Sequence, residues 1–239
     1  MGVDMLELRD MTRSFSGLKI IEKLDLEVEK GEILGVLGPN GAGKTTLFNL
    51  ITGNLTPNGG RVVYNGRDLT RMAVWDRCRL GIARTFQVPK PFTHMSVFEN
   101  MLVPGVHGGR LGLGAAKERA MEVLEETGLA AKEKLPAGRL TLLDLKRLEL
   151  AKALMQQPAL LLLDEIAGGL TDLECVQLLQ LIRAIHARGT TIVWIEHVLH
   201  ALMQAATRLA VLYGGRILTS GSPQEVLSDP RVQEVYLGS

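Results

Sequence analysis

GPNGAGKT, residues 38–45, is the stretch that decides the fold. It matches G-x-x-x-x-G-K-[ST] in full, follows the apolar run EILGVLG (32–38), and opens a segment that reads as a helix. The physics accounts for each residue type. Gly38, Gly41 and Gly43 let the backbone wrap a phosphate without Cβ interference, so that several N–H groups converge on the anion. Pro39, Asn40 and Ala42 complete the same cradle, and the helix N-terminus adds partial positive charge. Lys44 is expected to reach the β- and γ-phosphates, Thr45 to place its hydroxyl on Mg2+, and Thr46 to contact the α-phosphate. A glycine-rich turn with no ligand is the plain alternative.

Toward the C-terminus, ALLLLDE (159–165) supplies a second buried strand with acids at its carboxyl end. Asp164 is placed to hold Mg2+ through water, and Glu165 to polarise an attacking water; a simple helix cap is the competing reading. A further strand, TTIVWIE, is followed by His197, 32 residues past Glu165, where a γ-phosphate sensor is expected. The order is strand, helix, strand, helix: ALLLLDE, CVQLLQLIRAIHARG, TTIVWIE, HVLHALMQAA, then RLAVLYGGRIL. It predicts an α/β fold with a parallel sheet covered by helices.

Upstream, Leu6 and Leu8, then Ile20, Ile21, Leu24, Leu26 and Val28, recur with the period of two that marks antiparallel strands. Pro89 through GVHGGRLGLG (105–114) reads as irregular, and AAKERAMEVLEETG as an amphipathic helix stopped by Gly128. The antiparallel start and helical middle are therefore expected as lobes attached to the core.

Composition excludes several classes. The 239 residues carry 27 Lys+Arg against 26 Asp+Glu, so a net charge of +1 provides no electrostatic footprint for nucleic acid. With 46% hydrophobic and 4% aromatic residues, aliphatic side chains must fill the core. No apolar run approaches the ~20 residues of a membrane span. The opening MGVDMLELRD has acids where a signal peptide would have bases. Cys78 and Cys175 show neither pairing nor metal spacing, which suits reduced thiols in a cytosolic compartment.

The order GPNGAGKTT, RTFQ (84–87), LLLLDE and IEH (195–197) resembles the ATP-binding subunit of ABC transporters over nearly the whole chain. RTFQVPKPFTHMSVFENMLV, IEHV and the terminal SDPRVQEVYLGS look most like the subfamily serving branched-chain and other hydrophobic amino acids, with urea importers close by. The resemblance implies a P-loop NTPase core with a mixed or parallel sheet flanked by helices, an N-terminal antiparallel β lobe, and an α-helical signature lobe. A single domain is expected over 1–239, with core and β lobe at approximately 1–86 and 157–239 and the helical lobe at approximately 87–156. By the same resemblance, Phe15 stacks on adenine, unless it is simply a core residue, and Gln87 touches Mg2+ and the attacking water. Residues 88–110 would dock on the membrane partner or form a plain loop.

The catalytic set implied is Lys44, Gln87, Glu165 and His197, with ATP and Mg2+ as cofactors and Thr45, Gln87 and Asp164 around the metal. Expected partners are a second ATPase chain, in the heterodimer that the resemblance implies or else in a homodimer, two membrane permease subunits and, indirectly, a periplasmic substrate-binding protein. The expected location is cytoplasmic, peripheral on the inner face of the cell membrane. A lipopolysaccharide-type exporter ATPase, a soluble ABC ATPase without a transport role, and a nucleotide-dependent scaffold are the rival readings.

Two departures from the family pattern stand out downstream of LLLLDE: Ile166 replaces the usual Pro, and Thr171 stands where the following loop usually ends in Asp or Asn. The larger departure is LTLLD, residues 140–144, in the slot of the signature L-S-G-G-Q. Thr141 keeps a hydroxyl for a γ-phosphate bound by the opposite subunit, but both glycines are leucines and Asp144 adds a negative charge. Three readings stay open: a helix cap with weakened phosphate contact, a working variant, and a dead site. In the first, Thr141 and Asp144 form a capping box and Leu145, Leu148, Ala151 and Leu154 form one buried stripe.

Overall fold

The computed structural model describes residues 4–197 and 199–237; residues 1–3 of the opening stretch, Val198 of IEHV and the closing Gly238-Ser239 lie outside the described residues. The chain begins β1 (Asp4–Phe15), β2 (Leu18–Glu29), β3 (Ile33–Leu37), α1 (Lys44–Thr52), β4 (Gly59–Tyr64) and β5 (Arg67–Asp68). It continues α2 (Val74–Arg79), β6 (Ile82–Arg84), α3 (Val97–His107), α4 (Leu113–Glu126), α5 (Leu142–Leu154) and β7 (Leu160–Asp164). It ends α6 (Asp172–Ala187), β8 (Thr191–Ile195), α7 (Leu199–Ala205), β9 (Arg208–Tyr213), β10 (Arg216–Gly221), α8 (Pro223–Ser228) and α9 (Pro230–Leu237). Two compact units result, one of Met1–Arg77 with Thr191–Ser239, the other of Cys78–Thr190.

The first unit holds two sheets. One is antiparallel, in the order β2-β1-β4-β5. Along β2, Leu24, Leu26 and Val28 are buried while the alternating charged residues face out, which is the pattern of a strand with one face on a core. Ser16 and Gly17, with φ of 48° and 86°, make the two-residue turn that returns β1 into β2 and leaves Phe15 opposite Leu18. The other sheet runs β10-β9-β3-β8, with β3 parallel to both β8 and β9. β3 and β8 are buried at every position, as strands covered on both faces must be. RLAVLYGGRIL, taken from the sequence as one element, folds back at Gly214-Gly215 into the antiparallel pair β9 and β10, so the sheet is mixed.

Arg77 locks this unit together at the far end of α1. It is fully buried and donates to the carbonyls of Leu50 (2.7 Å), Ile51 (2.9 Å), Met72 (3.1 Å) and Thr70 (3.2 Å). The first two belong to the last turn of α1, where carbonyls have no partner within the helix. Burial holds the guanidinium's pKa below its usual value. The chain leaves α1 through Gly53 at φ 83°, and a Cβ there would stand 2.8 Å from Arg77 Nε.

In the second unit, β6 and β7 pair in parallel. Helices α3, α4, α5 and α6 belong to the same unit. The irregular segment expected over 89–114 contains the helix α3. Ser96 and Glu99 close a reciprocal capping box at its start, strong enough to begin a helix that Pro104 and Gly105 conceal in the sequence. The single buried stripe expected on α5 also needs correction. Leu148, Ala151 and Leu154 are buried, but so are Asp144, Lys146, Glu149 and Leu150, so the helix is enclosed on more than one face and three of its buried residues are charged.

Candidate functional site

The first unit carries the phosphate loop. β3 delivers the chain to Gly38, where a Cβ would meet the Leu212 carbonyl oxygen at 2.4 Å, so only glycine fits beside β9. Gly41 and Gly43 sit at φ 81° and 104°, which other residues rarely adopt. No side chain caps α1, which begins at Lys44. Its first-turn N–H groups and dipole are thus directed at the loop, the arrangement that suits a phosphate. Lys44 is buried and folds back along the loop, its ammonium donating to the carbonyls of Gly38 (2.6 Å) and Pro39 (3.0 Å). At the helix start Thr45 is exposed and Thr46 half-buried.

Phe15 ends β1 with 41% of its surface exposed, which removes the reading of it as a core residue. The Arg13 guanidinium stacks at 4.6 Å from the ring centroid, fixing the ring through one face. His197, in the same unit, is exposed just beyond β8, and its backbone N–H donates to the buried Glu196 carboxylate at 3.1 Å.

The second unit carries the acids. β7 is buried throughout and ends at Asp164, whose N–H donates to Thr85 Oγ1 at 3.2 Å. The Asp164 carboxylate is paired at 2.6 Å with Arg84, both side chains being largely buried. Glu165 follows in the left-handed region, φ 45°, at a strain of order 1–3 kcal/mol for a non-glycine residue. Gln87 donates its side-chain amide to the Glu165 carboxylate, so these two expected members of the catalytic set meet. Ile166 is fully buried, filling with an apolar side chain the place where the resemblance expects Pro. Thr171 caps α6 in a reciprocal box with Glu174, whose carboxylate pKa is lowered by the hydrogen bonds from Thr171.

The signature slot folds as a helix start. Thr141 accepts from the Asp144 N–H at 3.3 Å and caps α5. Asp144 does not complete the expected box, because its carboxylate takes the Thr141 hydroxyl (2.9 Å) and the Lys132 ammonium, with Arg147 at 3.8 Å. Two like charges about 4 Å apart repel by about 4 kcal/mol at an effective dielectric of about 20, so a free carboxylate near a triphosphate would be costly. Here the charge is buried between cations. Leu143 turns inward, whereas Leu142 remains exposed and lies over the loop at Gly169, where a Cβ would come 3.2 Å from its Cδ2.

Arg84 and Arg13 were not singled out from the sequence. RTFQ places an arginine three residues before Gln87, and TRSF places one two residues before Phe15. Spacing alone says nothing of an ion pair or a stack.

Residues 21–168 match the family model described as ABC transporter, which spans more than half of the chain. The chain belongs to the ABC transporter ATP-binding family. Residues 216–239 of this ATP-binding cassette match a second model, the branched-chain amino acid ATP-binding cassette transporter. It is 36% identical over 253 aligned positions to the high-affinity branched-chain amino acid transport ATP-binding protein LivG of Salmonella typhimurium, covering 100% of this chain and 99% of that one. It is 32% identical to the lipopolysaccharide export system ATP-binding protein LptB of Acidithiobacillus ferridurans, covering 98% and 97%. A solved ATP-binding cassette of an ABC transporter in its ADP conformation superposes with a TM-score of 0.91 at 30% identity, covering 99% of this chain and 100% of that chain. The cassette is thus a nucleotide-binding, ATP-hydrolysing transporter subunit with the α/β fold expected from its sequence. Among the described residues, no helix is long and apolar enough to cross a membrane.

Proposed function

We propose that this cassette powers an importer of branched-chain or related amino acids and that its odd signature makes one of two shared ATP sites weaker than the other. The match of residues 216–239 to the branched-chain amino acid transporter model carries the substrate class. In this reading the cassette is one domain, with residues 87–156 as its helical lobe, and it works on the inner face of the membrane with a second ATPase chain and two permease subunits. A periplasmic binding protein supplies the substrate. The surface of that lobe supports a docking role. Val88 and Phe92 are exposed, and a groove of about 860 Å3 is lined by Phe98, Leu102 and Met121 with Lys117, Glu118 and Lys134 among its charged residues.

In this reading the site residues take the roles that the resemblance implies. Backbone N–H groups of residues 40–43 with Lys44, Thr45 and Thr46 hold the phosphates, and Phe15 presents its open face to adenine. Thr45, Gln87 and Asp164 are the protein groups for Mg2+, which would neutralise phosphate charge when bound. An ion of that kind usually takes one or two carboxylates and keeps several waters, and a carboxylate at Asp164 and a hydroxyl at Thr45 are oxygen donors of the chemistry it prefers. Glu165, held by Gln87, polarises water, and His197 senses the γ-phosphate.

The signature turn goes to the partner's nucleotide. A helix cap at Thr141 with an isobutyl group exposed at Leu142 supports the reading of weakened phosphate contact there. Leu142→Gly with Leu143→Gly is expected to raise ATP turnover of the chain at least several-fold, since removing the isobutyl groups lets the backbone N–H groups approach the phosphate, and a transition-state donor held out of reach typically costs on the order of 100-fold. Unchanged turnover, measured as phosphate release, would leave the turn as a cap alone.

The LptB relative is the observation that favours a second reading, an exporter ATPase. Pull-down of the tagged chain in mild detergent separates the two. Two hydrophobic permeases, a second ATPase and a substrate-binding protein are the expected companions; recovery instead of lipopolysaccharide-export components would overturn the importer.

A further inference from the structure

We propose that Lys146 is a positioning residue for ATP hydrolysis, its buried ammonium tying the Gln87 carbonyl to the Glu165 carbonyl so that the two side chains stay aligned. The inference rests on the reading that Gln87 and Glu165 handle the attacking water. Lys146 is 3% exposed, an unusual place for a lysine, and Nζ donates to Gln87 O at 2.7 Å and to Glu165 O at 3.3 Å. An ammonium carries three donors and no acceptor, so one group can bridge carbonyls from two chain segments. One of those carbonyls belongs to Glu165 itself, whose left-handed backbone needs support from its surroundings. The side chains of the same two residues meet on their own account, Gln87 amide to Glu165 carboxylate. The pair is therefore held twice, by its own side chains and by Lys146 behind it.

The same face of α5 extends the device. Residues three apart on a helix lie on one face, and Lys146, Glu149 and Lys152 are such a series. The Glu149 carboxylate accepts from the Lys90 N–H at 3.4 Å and from Lys152 at 3.1 Å, and Lys152 donates to the Lys90 carbonyl at 3.0 Å. Residues 87–90 are thus stitched to the helix whose first turn Thr141 caps. A shift at the signature turn has a direct physical route to Gln87 through this face. The bonds named above join residues 87–90, 146–152 and 165, and on this proposal nucleotide affinity and catalytic alignment separate.

The test compares Lys146→Met, Lys146→Arg and Glu165→Gln in the full chain, purified with whatever chains accompany it. ATP affinity is read by titration with a fluorescent nucleotide, and kcat and KM by phosphate release. Misplacement of a reacting group by about 1 Å costs on the order of 100-fold, so Lys146→Met is expected to lower kcat by at least about tenfold with little change in affinity. Lys146→Arg, which keeps the charge and several donors, should recover most of that loss. Amide exchange of residues 87–90 should quicken in Lys146→Met and return toward the parent in Lys146→Arg. A kcat unchanged in Lys146→Met, or a kcat and an affinity that fall together, would overturn the positioning role. Should Lys146→Met fail to fold, Lys146→Gln, which keeps a donor but not the reach, takes its place with the same outcomes. Turnover retained in Glu165→Gln would instead remove the underlying reading of the site, so the two failures are distinct.

Discussion

Glu165→Gln is expected to cut ATP turnover by about 100-fold or more, the range of effect seen for a positioned general base, while ATP affinity changes little. The substitution is nearly isosteric. The side-chain amide it introduces would still offer an oxygen to Gln87, so the hydrogen bond that joins the two positions has an acceptor in the variant. The substitution leaves β7 and both partners of the Asp164–Arg84 ion pair unchanged in sequence. What disappears is the negative charge and its ability to draw a proton from water. Phosphate release under saturating ATP measures the turnover, and nucleotide titration measures the affinity. Parent-level turnover would remove Glu165 from the reaction and with it the idea that the chain's own acid serves the stronger of two sites.

Arg77→Met is expected to be the most destabilising single change on the first unit, by about 3 kcal/mol. Met keeps the apolar stem but not the guanidinium, so the lost hydrogen bonds are the main cause. Four carbonyls lose a charged donor, two of them at the end of α1 where the helix provides none. Leaving a buried acceptor unsatisfied costs about 1–3 kcal/mol, and water reaching part of the site would reduce the sum below four such penalties. For a chain of this size, 1 kcal/mol corresponds to about 2–4 °C, so the melting temperature should fall by about 6–12 °C. Arg77→Lys should recover part of the loss, because a point-like ammonium cannot replace the fork that reaches all four oxygens. A melting temperature equal to the parent's would show that these carbonyls are satisfied without Arg77.

Both predictions turn on side chains whose partners lie in the fold, but the two were unequally visible. Glu165 is legible because its surroundings are local: an apolar run long enough for a buried strand, ending in two acids. The phosphate loop is legible for the same reason, since glycine spacing, lysine and threonine are properties of eight consecutive residues. The first helix after Gln87 was hidden because Pro104 and the glycines near it outweigh the short Ser96–Glu99 cap. Arg77 gave no signal at all, for its acceptors are backbone carbonyls 5 to 27 residues away and any residue type supplies those.

The signature slot divides the same way. Sequence identified the loss of two glycines and the gain of a carboxylate, and from these a helix cap at Thr141. That Asp144 is buried beside cations, Lys132 twelve residues upstream and Arg147, is visible only in the fold. Lys146 and Glu149 carry no signal in the sequence, and only the fold shows that they are buried and bonded to Gln87, Lys90 and Glu165. Local sequence determined the strand-to-helix turn, the acid pair and hence the reaction, because backbone conformation and short-range spacing suffice to specify a phosphate cradle. The tertiary structure alone decided which charged side chains are buried and what they hold, because the cost of burying a charge is set by partners the chain brings together from a distance.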